Sequence, residues 1–416
     1  MNYIKRDIEK KFRELSAQFP VTLLTGPRQT GKSTMLAHLF PKYRYMTFDD
    51  SSLRLSAKKD PAVFVEALET PVIIDEIQYA PEILPYIKIH VDRNRKNGMF
   101  ILTGSQVFNV MAGVTESLAG RTCLFEMLPF SFNELSGKKT TSIPKDISSC
   151  FKQIMRGFYP VPNTEKTDAN AFYGSYLSLY IERDVRQVQN IKDISAFEAF
   201  MQILAGRAGN LLNIADLAQN CGMAQATCKT WLSILENSRI IYLLRPWFRN
   251  TAKRLIKSPK IYFTDTGLLA YLLKYPDVQT LQAGPAMGAI FENMVIMEFL
   301  KKKINMRLNS DMYFYRDSNG VEIDLVIDEG LSISLYEIKA AKTLRSEMIR
   351  SLNLATSGGE PVTDHSRAAR PAAGSGHKGF QHAFGKPTDI KKYLLSFHEN
   401  RLPLDGNVTA LPWWGV

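Results

Sequence analysis

Residues 21–34 read VTLLTGPRQTGKST, and no other stretch limits the possible folds so tightly. Gly26-Pro27-Arg28-Gln29-Thr30-Gly31-Lys32-Ser33 keeps the spacing GxxxxGK[ST]. The glycines let the backbone curl until successive amide N–H groups point inward at phosphate oxygens. A helix starting near Lys32 adds the positive end of its dipole. A chance polar turn would lack the required context, a strand before and a helix after. Here VTLLT precedes the loop and STMLAHLF follows it. The segment Gly26 to Thr34 is therefore expected to hold a nucleotide's phosphates. Lys32 would reach the β- and γ-phosphates, and the Ser33 hydroxyl would ligate Mg2+.

A second apolar run, Pro71-Val72-Ile73-Ile74, ends in Asp75-Glu76. Buried parallel strands look like this, with functional residues at the carboxyl end. Asp75 is expected in the Mg2+ shell and Glu76 beside the attacking water. A third run, Met99-Phe100-Ile101-Leu102-Thr103-Gly104-Ser105, ends in hydroxyls that can sense the γ-phosphate or hold the water, although Thr-Gly-Ser is also an ordinary turn. Tyr43 to Asp50 alternates like another strand. Strands alternating with helices predict an α/β domain with a parallel sheet. Arg121, in Ser117-Leu118-Ala119-Gly120-Arg121, is either a structural arginine or a group that stabilises transition-state charge.

In this order and spacing, TGPRQTGKST, FDD, VIIDEIQ, FILTGSQ and SLAGR resemble the AAA-superfamily ATPases of bacteria and archaea that carry a C-terminal domain of unknown function. Leu128 to Leu135 (LPFSFNEL) and Tyr180 to Val185 (YIERDV) resemble motifs of the same family, and the likeness runs over roughly residues 1–356. Phe158-Tyr159-Pro160 departs from it, standing where a more glycine-rich turn is expected. The resemblance implies ATP as the nucleotide, with Mg2+, although nothing in the loop discriminates against GTP. It also implies that Arg121 is an arginine finger, acting in its own chain or in a neighbouring subunit of an oligomer.

Residues 211–247 predict a helix-turn-helix. A short helix, Ile214 to Asn220, meets a turn at Cys221-Gly222-Met223, and a longer helix runs from Ala224 to Glu236. Arg239 to Leu244 reads as a strand. The stretch Arg249 to Lys260 holds five cations and no acid, like the hairpin wing of a winged helix. Two readings stay open. In one, Gln225, Thr227, Lys229 and Thr230 enter a major groove of DNA while the wing, 249–260, touches phosphates. In the other the module only packs, and its cations form a solvated face.

Farther on, GAIFENMVIMEFLKKK predicts an amphipathic helix with Glu292 near its start. Three strands follow, with an Asn319-Gly320 hairpin between the first two. Asp324 on one strand and Glu337-x-Lys339 on the next resemble the PD-(D/E)xK nuclease core. The period of two puts Glu337 and Lys339 on one face, and adjacent pairing brings Asp324 beside Glu337. These acids, with Glu292, would hold Mg2+ or Mn2+, and Lys339 would orient water. After Leu354 the periodicity vanishes in a Gly-, Ala-, Pro- and His-rich stretch that includes His365, His377 and His382. The span 357–400 is read as a compensated frame error or local divergence; a natural insert, metal-binding through its histidines, is the alternative.

The organisation expected is α/β: a P-loop NTPase parallel sheet of the AAA type over 1–140, a helical extension over 141–205, a winged helix over 206–265, and a small α/β restriction-endonuclease-like domain over 266–416. Net charge is +11, which favours a polyanion partner only if the excess is localised. The four cysteines form no CxxC pair, so neither a zinc site nor a disulfide framework is expected. No signal peptide or apolar span is apparent, and a soluble cytoplasmic protein without a membrane partner is expected. Three functions compete: an ATP-hydrolysing switch, a nucleotide-responsive nucleic-acid-binding regulator without significant turnover, and an ATP-gated Mg2+-dependent nuclease.

Overall fold

A computed structural model describes residues 3–105, 117–137, 143–180, 193–248, 257–317, 319–356 and 389–415. The amino-terminal part is built on five strands: β1 (Val21–Thr25), β2 (Arg44–Thr47), β3 (Val72–Asp75), β4 (Phe100–Gly104) and β5 (Thr122–Glu126). Their order across the sheet is β2-β3-β4-β1-β5, and every pair is parallel. This is the P-loop NTPase type of α/β sheet. Alternation sorts the side chains. Val21 and Leu23 join Val72, Ile74, Phe100 and Leu102 on one face, while Leu24, Ile73, Ile101 and Phe125 line the other. Helix α1 (Glu9–Ser16) and helix α2 (Lys32–Leu39) cover that second face, with Phe12, Met35 and Leu36 buried. The first face is covered from the side of Ala57 in α3 (Ser51–Lys59) and Ile87 in α4 (Leu84–Asn94).

The helical part comprises α5 (Ile147–Arg156), α6 (Ala169–Tyr180) and α7 (Ile194–Ala205). Then come α8 (Ile214–Asn220) and α9 (Gln225–Asn237), followed by an antiparallel pair, β6 (Ile241–Leu244) with β7 (Lys260–Phe263). Asn213 caps α8 by accepting from Ala215 and Asp216 N–H groups. Two helices joined by a turn are thus followed by a two-stranded antiparallel pair. The tip of that hairpin, 249–256, lies outside the described residues. So do 181–185 of the YIERDV motif.

Helix α10 (Thr266–Leu272) leads to α11 (Met287–Met306). The sequence predicts α11 as amphipathic. Instead it is buried nearly all round from Ile290 to Leu300, because elements pack on several of its sides. The last sheet has the order β12-β13-β11-β10-β9-β8. It contains β8 (Asp311–Arg316), β9 (Glu322–Asp328), β10 (Ser332–Ile338), β11 (Asp389–Ser396), β12 (Leu402–Leu404) and β13 (Val408–Pro412). The end of the span expected to be anomalous, 357–400, enters this sheet. Residues 389–396 form a strand parallel to β10, with Leu394 and Leu395 buried. Residues 357–388, including His365, His377 and His382, lie outside the described residues.

Buried charges join these parts. Arg6 donates to the Thr30 carbonyl (2.9 Å), the Leu128 carbonyl (2.6 Å) and Glu134 (3.0 Å). The segment before α1 is thus a clamp under the phosphate loop. Lys301 of α11 donates to the Phe130 carbonyl (2.8 Å) and to Glu298 (3.0 Å), with the Phe158 ring 3.9 Å away. Arg239 pairs with Glu126, and Arg307 donates to the Leu124 carbonyl at 2.7 Å. Both contacts cover β5, an edge strand that would otherwise be open to pairing.

Candidate functional site

The loop 26–31 leaves the carboxyl end of β1 and enters α2. Gly26 has φ +141°, and a Cβ there would meet the Met127 carbonyl oxygen at 2.2 Å. Only glycine fits so close to the chain leaving β5. Gly31, at φ +89°, opens α2 in a left-handed conformation that again favours glycine. Thr30 is buried, and its hydroxyl donates to the Pro27 carbonyl at 2.9 Å. The Lys32 ammonium donates to the carbonyls of Gly26 (2.9 Å) and Pro27 (2.8 Å), so the lysine braces the loop from within.

Residues Arg28, Gln29, Gly31, Lys32, Ser33 and Thr34 border a crevice of about 330 Å3, closed by Glu76 and by Leu179 of α6. Leu179 is 53% exposed. Ser33 donates to Asp75 Oδ2 at 2.6 Å. A hydroxyl and a carboxylate this close form the hard-oxygen donor pair that Mg2+ takes, and they fit the ion that the sequence implies. The same Oδ2 accepts from the Tyr45 hydroxyl at 2.6 Å, and Oδ1 accepts from Thr103. Burial and the neighbouring Asp75 push the Tyr45 phenol well above its ordinary pKa, so it stays a donor.

Glu76 turns the chain at the strand tip with φ +56°, a left-handed conformation that costs a non-glycine residue on the order of 1 kcal/mol. Its carboxylate accepts from Gln78 and from Ser105 (3.1 Å), and Arg28 of the loop lies 3.8 Å from its other oxygen. The acid is held at the mouth of the crevice by groups from three strand tips. Thr103 differs from expectation. Its hydroxyl is fully buried and is taken by Asp75, so it orients that carboxylate and does not face the crevice.

Arg121 is placed at the wrong end of the sheet for its own crevice. Its carbonyl accepts from Val21 N–H at the amino end of β1. Five strand residues, about 16 Å, separate that level from the loop. Its guanidinium is held by Asp92 at 2.6 and 3.0 Å. A finger role within the same chain is excluded by this geometry, because strand β5 runs from Arg121 toward the loop.

A second constellation gathers at the C-terminal sheet. Antiparallel pairing sets Tyr336 opposite Leu325, which brings Asp324 and Glu337 side by side. Asp324 Oδ2 accepts from Ile338 N–H (2.8 Å) and lies 3.4 Å from Lys339, which is 2.7 Å from Glu337. Glu292 of α11 faces the same place. All four residues singled out from the sequence therefore meet. Two more meet them. Glu322 joins the ring, and Lys260 enters it, 2.6 Å from Glu322, 3.1 Å from Glu292 and 3.9 Å from Asp324.

Lys260 corrects the expected wing. It is 2% exposed and buried among carboxylates, so it cannot touch a phosphate backbone. Burial, then the charge of Asp324, raises Glu292 to about 7 and Glu337 to about 8. Among the described residues no group of three or more such side chains is arranged to hold a metal ion. The expected Mg2+ or Mn2+ does not fit a ring in which an ammonium already lies within 3.9 Å of three of the four carboxylates. Sequence spacing carries no sign of this, because Lys260 sits 32 residues before its first partner, inside a run of cations.

Comparison with known proteins addresses the first constellation. Residues 18–136 match the family model described as "AAA domain". The amino-terminal part of this chain is thus similar to AAA domains. Residues 148–279 and 287–415 match two further models, each described as a domain of unknown function (DUF8612 and DUF4143). The uncharacterized proteins Rv2008c of Mycobacterium tuberculosis and Mb2031c of Mycobacterium bovis are each 29% identical to this chain over 354 residues, 84% of this chain and 77% of theirs. A Walker-type ATPase of Pyrococcus abyssi aligns over 65% of this chain and 96% of its own, with 15% identity and a TM-score of 0.40. A RuvB variant of Thermotoga maritima aligns over 57% and 88%, with 16% identity and a TM-score of 0.28. Likenesses this distant say nothing of activity; the crevice of the amino-terminal part has to be read from its own residues. No helix among the described residues is long and apolar enough to cross a membrane.

Proposed function

We propose that the AAA domain binds ATP with Mg2+ and hydrolyses it. One observation carries the reading: Lys32, Ser33 and Glu76 border one crevice, and Ser33 is bonded to Asp75 there. The amides of the loop and the amino end of α2 suit the phosphates. Lys32 would leave the Gly26 and Pro27 carbonyls to pair with the β- and γ-phosphates, and Ser33 and Asp75 would hold Mg2+, whose charge would offset that developing on the transferred group. Glu76 is the group to orient the attacking water and take up its proton. Tyr45 and Thr103 position Asp75, and Arg28, Gln78 and Ser105 position Glu76. GTP in place of ATP is an outcome of the test. Phosphate release is measured with ATP and with GTP, with and without Mg2+, for the native chain and for Lys32→Ala. Equal release from both proteins removes the proposal.

A second reading concerns the helix-turn-helix. Gln225, Lys229 and Thr230 are exposed on α9 while Cys228, Trp231 and Leu232 face inward, and Thr227 is half-buried between them. That split supports a helix with one face offered to DNA. Binding carried by phosphate contacts weakens steeply with salt. Lys229→Ala and Lys257→Ala are expected to lower the slope of log K against log salt; unchanged slopes leave the module a packing unit. Arg121 acting in a neighbouring subunit belongs to the same proposal, and requires that turnover per chain rise with protein concentration. Cleavage of nucleic acid finds no support in the lysine-filled carboxylate ring.

A further inference from the structure

Four carboxylates, Glu292, Glu322, Asp324 and Glu337, converge from α11, β9 and β10. In water such a group repels itself; buried, it requires cations. Three side chains supply them. Arg316 pairs with Glu322 Oε2 at 3.1 Å, Lys339 lies between Asp324 and Glu337, and Lys260 touches Glu292, Glu322 and Asp324. Lys260 differs from the other two in origin. It comes from the hairpin behind the helix-turn-helix, and it is 2% exposed. One oxygen of the ring is still unsatisfied: Glu337 Oε2 is buried without a hydrogen-bond partner.

We propose that Lys260 is the resident cation of this ring. Its ammonium stands where a divalent metal ion would have to stand, so the native chain excludes Mg2+ and Mn2+ and the ring serves as a latch between the hairpin and the C-terminal sheet. Removing the ammonium uncovers a divalent-cation site. The hairpin is held on both sides of its tip. Before it, Trp247 N–H donates to the Phe314 carbonyl (2.6 Å) and its indole to Asp328 (3.3 Å). After it come Lys260 and Tyr262, whose hydroxyl donates to Glu292 at 2.6 Å. Asn293, next to Glu292, takes both backbone groups of Phe263, at 2.7 and 2.8 Å. The ammonium is delivered by a strand fixed at both neighbours, so it is present at high effective concentration and a free ion competes poorly.

The test uses the full chain without nucleotide, titrated with MnCl2 and followed by electron paramagnetic resonance and by the melting temperature. Lys260→Gln keeps a hydrogen-bond donor for Glu292 and Glu322 but removes the charge. It is expected to bind one Mn2+ per chain about tenfold or more tighter than the native chain, and to melt higher when Mn2+ is added. The double variant Lys260→Gln with Asp324→Asn is expected to lose both effects. Two results overturn the proposal. One is a native chain that already binds Mn2+ in a manner abolished by Asp324→Asn. The other is a folded Lys260→Gln chain that binds no more Mn2+ than the native one. Should Lys260→Gln not fold, the native titration with and without Asp324→Asn decides alone: silence supports the exclusion and occupancy overturns it.

Discussion

The phosphate loop and the C-terminal ring are made of the same materials, lysines and carboxylates, and the structure uses them in opposite ways. In the loop, Lys32 rests on two backbone carbonyls, and Asp75 is held by three neutral hydroxyls. Among the described residues no cation pairs with Asp75 there, which leaves the charge balance to the proposed metal ion and anionic ligand. In the ring, Lys260 and Lys339 contact the carboxylates directly, and the balance is nearly closed within the chain. Residue types alone do not distinguish an open site from a closed one. The partner of each charge does.

Swapping the question between the two lysines is the hardest test of that contrast. Lys32→Ala is expected to lower turnover by about 100- to 1000-fold, the scale of losing one preorganised transition-state donor. Its effect on the unfolding free energy should be smaller, about 1 kcal/mol for each bond lost to the Gly26 and Pro27 carbonyls. Lys260→Ala is expected to do the reverse. It leaves buried carboxylates without their cation, at a cost of about 3–5 kcal/mol in unfolding free energy, and turnover in the surviving folded chain stays close to native. Equal stability losses in the two variants would break the comparison.

A pH series sharpens it. Glu292 and Glu337 rise from an ordinary 4.5 to about 7 and about 8 in the folded chain. The folded state then holds protons that the unfolded state has released, so stability from this ring is present below about pH 4.5 and is lost as pH climbs toward 8. Urea midpoints between pH 5 and 9 should therefore fall, and Glu337→Gln should flatten the decline. Smaller again is Tyr45→Phe. It removes one hydrogen bond to Asp75, worth about 1 kcal/mol, and should lower turnover by about fivefold at limiting Mg2+. Smallest of all is Arg121→Ala. Turnover per chain, measured where the protein is dilute, should not change, because Asp92 holds that guanidinium far from its own crevice.

The sequence makes the first site legible and the second only half legible, for a physical reason. Gly26 to Ser33, Asp75 and Glu76 lie at the ends of short apolar runs, and a parallel sheet delivers all such ends to one edge. Position in the strand is thus position in the site. The same logic, applied to Arg121, would have warned that it precedes its strand and lies at the opposite edge. In the ring, Asp324, Glu337 and Lys339 follow from strand alternation and adjacent pairing. Lys260 does not, since it arrives from another sheet, and a lysine in a run of five cations carries no mark of burial. Tyr45 is hidden similarly: an exposed aromatic on a short edge strand gives no hint that its hydroxyl reaches Asp75. Arg6 reads as one charge among many, and its three buried partners are visible only once residues 128–134 fold back over the amino terminus.

The central claim is that Glu76 and Lys32 divide the work in one crevice, the lysine on the phosphates and the glutamate on the water. The most direct measurement follows nucleotide binding and phosphate release side by side, with Mg2+ present, in the native chain and in Lys32→Ala and Glu76→Gln. The account predicts weak binding in Lys32→Ala, native-like binding in Glu76→Gln, and release reduced by at least about 100-fold in both. Release that persists at the native rate in Glu76→Gln, with ATP bound, would contradict it.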